Sequence, residues 1–146
     1  MIIFEKIGSF LLNAWLWNIT LDWYHVPINF LIMFFLLYLF SSLNIIQIVL
    51  LSFCAQIYSF GLYSAFIIGV LIKLVNFSYI HDQPSLTIQP LNACVYLALI
   101  YAALQITFFF IIKRRYNLST YLSLVVPILS NLLAAGFVYW LLPEIW

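Results

Sequence analysis

From Leu91 to Ile112 the chain reads LNACVYLALIYAALQITFFFII, with no charged residue until Lys113. A helix crossing an apolar bilayer core of about 30 Å needs roughly 20 such residues, and a run this long and this uncharged has no comparable use in a water-soluble domain of ordinary size. Composition says the same of the whole chain. Of its 146 residues 67% are apolar and 6% charged, with mean hydropathy +1.16, whereas a soluble domain carries about 25% charged residues. The solvent for most of this surface must be lipid. A formal net charge of +1 supplies no basic field, which excludes nucleic acid as a partner.

The same length argument divides the chain into spans at about 26–43, 91–113 and 121–142, each one crossing. Residues 44–75 are apolar over about 48 Å if helical, too long for one upright crossing and too short for two, so one tilted helix over 46–72 with an interfacial end is expected. Residues 7–22 sit at the lower length limit and either cross or lie in the interface; the polar LDWYH and Pro27 that follow make a natural turn, which favours crossing. The N-terminus has no small-x-small cleavage site, and the pair Trp15 and Trp17 suits a membrane interface, so it is expected to be retained. The expected architecture is an all-α polytopic membrane bundle of four to five transmembrane helices forming one domain over 1–146.

Orientation follows from charge. Lys113, Arg114 and Arg115, three of the five basic residues, are wedged between two apolar spans, and short Lys- and Arg-rich loops stay on the cytoplasmic side. Ser41–Asn44 is then inside as well, while Asp22–His25 and loop 76–90 are outside. With five crossings Lys6 also falls inside. Lys73, near a helix end, can snorkel. Asp22, His25, His81 and Asp82 would share the outer compartment, but their spacing matches no established metal-ligand pattern, and no metal site is assigned. Cys54 and Cys94 each lie alone in an apolar run and read as packing residues.

Apart from Lys73, the expected span cores hold no Asp, Glu, Lys, Arg or His, which disfavours a proton-coupled carrier. They hold neutral polar groups instead: Gln47, Ser52, Gln56, Ser59, Gln105 and Thr107 would either join helices by hydrogen bonds or line a passive path. Three rows suggest helix contacts. Gly61, Ala65 and Gly69 form a small-xxx-small row, Cys94, Ala98 and Ala102 a second, and Ser123, Pro127, Asn131 and Ala135 a kinked polar one. Asn131, one turn beyond Pro127, must find partners in freed backbone, in Gln105 or Gln56, or in another protein. No GxSxG, HExxH or glycine-rich phosphate loop is present, so neither catalysis nor a cofactor is expected.

The middle segment LLSFCAQIYSFGLYSAF and the last helix VVPILSNLLAAGFVYWLL resemble the MreD family of rod-shape-determining membrane proteins. Pro127, Asn131 and Gly61 match that family's pattern; Gln56 stands where its acidic residue would be, and the preceding Gly-Leu pair is missing. The resemblance covers about a third of the chain. It implies a non-catalytic scaffold of the cell-envelope machinery in a bacterial inner membrane. The residues themselves point to a scaffold or assembly subunit that meets lipid and either other membrane proteins or further copies of itself, with a small oligomeric transporter enclosing a neutral polar pathway as the alternative.

Overall fold

The computed structural model describes residues 21, 23–75 and 90–141. Four helices occupy almost all of them: α1 (Trp23–Phe40), α2 (Ile45–Val75), α3 (Pro90–Ile112) and α4 (Thr120–Leu141), and all four are long and apolar enough to cross a membrane. The chain is an all-α, multi-pass membrane protein. The expected spans at 46–72, 91–113 and 121–142 fall on α2, α3 and α4. The span expected at 26–43 begins earlier and ends sooner, because Pro27 is carried inside α1 and the helix stops before Ser41. The possible crossing at 7–22 lies, but for Leu21, outside the described residues.

The helix ends are set by local side-chain chemistry. The α1 helix closes where the Ser41 N–H and hydroxyl both donate to the Leu37 carbonyl. Asn44 and Gln47 then form a reciprocal box that starts α2: the Gln47 N–H donates to Asn44 Oδ1 at 2.8 Å, and the Asn44 N–H donates to Gln47 Oε1 at 3.2 Å. Two otherwise orphaned donors are satisfied in one exchange. Between α3 and α4 the turn over Lys113–Asn117 ends with Asn117 at φ 52°, a left-handed conformation that asparagine tolerates better than most side chains. Ser119 caps α4, its hydroxyl accepting the Leu122 N–H at 3.1 Å. Lys113 lies over the Phe110 ring with its ammonium 4.5 Å from the centroid.

Side chains from both turns meet in one apolar cluster. Leu37, Ile48, Phe109, Leu118 and Val126 are buried together there, with Leu43, Tyr116 and Leu122 packed against them. Both turns therefore occupy the same end of the bundle, as the charge-based topology requires of Ser41–Asn44 and Lys113–Arg115. A second apolar cluster, containing Leu21, Tyr63, Ile67, Leu97, Tyr101 and Val138, occupies the opposite end. Outside this core the bundle presents large apolar side chains such as Phe35, Ile46, Phe66 and Ile111, the surface expected of a protein solvated by lipid.

Candidate functional site

Between the two apolar clusters lies a layer of polar side chains contributed by all four helices. His25 and Asn29 come from α1, Gln56 and Ser59 from α2, Gln105 from α3 and Asn131 from α4; all are buried, with Asn29, Gln105 and Asn131 at 0% exposure. The layer lies deep. Asn29 is about eleven positions before the end of α1, and Gln56 and Asn131 about eleven after the starts of α2 and α4, which at 1.5 Å per residue is roughly 16 Å from the turn end. That is about half of a 30 Å bilayer core. Gln105 stands nearer the turn. Because helical side chains lean toward the N-terminus, and α3 and α4 run in opposite directions, Gln105 and Asn131 lean toward each other.

Asn131 is the hub. Its Nδ2 donates to Gln105 Oε1 at 2.7 Å and to the Pro127 carbonyl at 2.8 Å. Its Oδ1 accepts from Asn29 Nδ2 at 3.0 Å and lies 3.0 Å from His25 Nε2. Asn29 Nδ2 also faces Gln56 Oε1 at 3.3 Å and Gln105 Oε1 at 3.4 Å. Gln105 Nε2 donates to Ser59 Oγ at 3.1 Å and to Gln56 Oε1 at 3.3 Å.

The direction of every amide follows from one fixed point. A backbone carbonyl only accepts, so the Pro127 oxygen compels Asn131 to present Nδ2 to it and Oδ1 to His25 and Asn29. His25 must then carry its proton on Nε2. Gln105, facing Asn131 Nδ2, must present Oε1 there and turn Nε2 toward Ser59 and Gln56. Gln56 must in turn offer Oε1 inward. Asn29, surrounded by three acceptor oxygens, must offer Nδ2. Flipping any single amide sets donor against donor or acceptor against acceptor, so the assignment holds as a unit.

Among the described residues three buried atoms have no partner: Asn29 Oδ1, Gln56 Nε2 and Ser52 Oγ. An unpaired buried polar group costs roughly 1–3 kcal/mol. The first two are consequences of the amide directions just derived. Ser52 sits one turn before Gln56 on the same face of α2.

The residues singled out in the sequence divide into three groups. Gln56, Gln105, Pro127 and Asn131 come together in the layer, whereas Ser123 lies toward the turn end and bonds the Ser119 carbonyl at 3.0 Å. Cys94, Ala98 and Ala102 are buried in the core, while Gly61, Ala65 and Gly69 face away from it, and a Cβ built on either glycine would meet nothing within 4 Å. Lys113, Arg114 and Arg115 lie in or beside the α3–α4 turn.

His25 and Asn29 correct the sequence reading. His25 was expected in an outer loop, and the span cores were expected to lack any histidine; it is instead inside α1, 1% exposed, bonded to Asn131 and stacked on Tyr101 with ring centroids 5.5 Å apart. Its Nε2 is thereby engaged away from any outer metal site; Asp22, His81 and Asp82 lie outside the described residues, among which no three His, Cys, Asp or Glu side chains cluster. The signal was a four-residue repeat, Leu21, His25, Asn29, Met33 and Leu37, all buried on one face. Pro27 and the polar DWYH hid it by imitating a turn. Gln47 of the supposed path caps α2, and Thr107 bonds Tyr58 on an exposed face at 3.1 Å.

Comparison of the chain with protein-family models, with characterised proteins and with solved structures yields no match to any of them.

Proposed function

We propose that this protein is a non-catalytic scaffold or assembly subunit of a larger membrane complex. The observation that carries this reading is the closure of the interior: Gln56, Ser59, Gln105 and Asn131 hydrogen-bond across helices to one another and to α1. Groups joined in this way hold helices in register. They do not line an open path. Turned away from the same bundle, the row Gly61, Ala65 and Gly69 is exposed, and a Cβ built on either glycine would meet nothing within 4 Å among the described residues; rows of that kind let another backbone approach within dispersion range, where lipid tails would otherwise pack equally well. A rigid interior with an outward small-residue row suits a protein whose work is to be held by others. The resemblance of Pro127, Asn131 and Gly61 to the MreD pattern would place that complex in the cell envelope of a bacterium, at the inner membrane.

Purification of the tagged protein from its native membrane in mild detergent tests the proposal: a stoichiometric membrane partner, lost from a Gly61→Leu, Gly69→Leu double variant that remains folded, is the expected result. Recovery of the chain alone, together with solute flux through reconstituted protein, would overturn it in favour of a small transporter. The unpartnered Asn29 Oδ1, Ser52 Oγ and Gln56 Nε2 are the observation favouring that second reading, because neutral donors and acceptors of this kind can pass an uncharged solute.

A further inference from the structure

The turn between α3 and α4 carries three consecutive cations, Lys113, Arg114 and Arg115, and no Asp or Glu stands anywhere among the described residues. Arg114 and Arg115 are exposed, while Lys113 is half-buried. A lysine at the end of a membrane helix ordinarily extends its ammonium away from the bilayer into water. Lys113 does the reverse. Its ammonium is drawn back over the Phe110 ring, 4.5 Å from the centroid, and lies 3.5 Å from the Thr120 hydroxyl, which accepts from it. Phe110 stands three positions before Lys113, about 4.5 Å deeper along the α3 axis. The 23 residues of α3 make about 34 Å of helix, close to the thickness of the apolar core, so this end of α3 lies at the core's edge. The ammonium is therefore fixed at the depth where lipid headgroups begin. The dipoles of α3 and α4 end here with opposite signs and largely offset each other. Three side-chain charges remain.

We propose that this turn binds the headgroup of an anionic phospholipid, with Lys113 and the two arginines meeting its phosphate. A net negative headgroup matches three cations that have no carboxylate among the described residues, whereas the choline of a zwitterionic lipid would bring a fourth positive charge to the same place. The phosphate of a lipid is tethered at this depth by its own tails, which a soluble anion is not. The tails have a surface to lie on, since Ile111 and Tyr121 are each about 70% exposed beside the turn. Clusters of Lys and Arg at the inner ends of membrane helices meet the leaflet richest in anionic lipid, the side to which the charge bias assigns this turn.

This site stands independently of the assembly role: a chain that purifies without a partner would still hold the lipid. The test is native mass spectrometry of the full chain in mild detergent, titrated with phosphatidylglycerol or phosphatidylcholine of matched tails. Saturable binding of phosphatidylglycerol, not displaced by soluble glycerol phosphate, is expected. Affinity should fall about fivefold for each cation removed in Lys113→Gln, Arg114→Gln and Arg115→Gln. Phe110→Leu, which keeps every charge and releases the ammonium, should lose about threefold. Lys73→Gln, which removes the same charge from the far end of α2, should bind as the parent does. Equal binding of phosphatidylcholine, or a loss in Lys73→Gln as large as in Lys113→Gln, would reduce the effect to bulk charge and overturn the proposal. Displacement by glycerol phosphate would leave a site for free phosphate, and displacement by a short polyglutamate peptide a site for an acidic protein segment; either contradicts a lipid site.

Discussion

The central layer and the two apolar clusters that flank it hold the same four helices by different physics. In the cluster at the turn end, Met33, Leu37, Phe109 and Val126 are nearly inaccessible, yet this burial yields little from the hydrophobic effect, since lipid tails are as apolar as the side chains they would replace. What remains is dispersion and shape, which tolerate exchange among side chains of similar volume. In the central layer each amide has one permitted direction and the unit is chained to the Pro127 carbonyl. Such a layer fixes register and partner choice. The difference teaches that, in this bundle, specificity resides at mid-depth and bulk packing at the ends.

The largest effect expected from this contrast is at Asn131. Asn131→Leu keeps volume close to that of the amide but removes a hydrogen bond from His25 Nε2, Asn29 Nδ2 and Gln105 Oε1 at once, and should lower unfolding free energy by about 2 kcal/mol. Steric-trap or denaturant unfolding in bicelles would measure it; a loss no greater than that of a volume-conserving swap in an apolar cluster would erase the contrast. Gln105→Leu should cost less, about 1 kcal/mol, because Asn131 keeps the Pro127 carbonyl and its α1 partners. Below it comes Met33→Leu in the turn-end cluster, expected within about 0.5 kcal/mol of the parent by the same assay. Smallest of all is the Gly61→Leu, Gly69→Leu pair: with open space at both Cβ positions, the isolated chain should unfold within about 0.5 kcal/mol of the parent, and any change should appear in its partners.

The fold was legible in the sequence wherever length decided it. Uncharged runs around α2, α3 and α4 were long enough to be crossings and nothing else, and the charged turn at Lys113–Arg115 marked its own boundary. Gln56, Gln105 and Asn131 were visible one by one as polar groups in lipid. Their convergence was not, because it depends on the turn ends from which depth is counted and on which faces of four helices meet. The α1 contribution stayed hidden for a local reason. Pro27 ordinarily signals a break in water, yet a membrane helix can carry a proline where its neighbours meet the released backbone, and with the helix carried through Pro27 the row His25, Asn29, Met33 turns inward. The unpartnered Gln56 Nε2 lay further beyond reach: it follows only once every amide around it has been oriented.

The most direct test of the polar layer is a double-mutant cycle between Asn131 and Gln105, with Asn131→Leu, Gln105→Leu and the double variant unfolded reversibly in bicelles. Interhelical hydrogen bonds in membranes average about 0.6 kcal/mol. A bond of 2.7 Å embedded in a network whose members fix one another's direction should exceed that, with a favourable coupling energy of about 1 kcal/mol or more. Additive losses, with coupling indistinguishable from zero, would contradict a layer that acts as one unit and would leave the four helices held by shape alone.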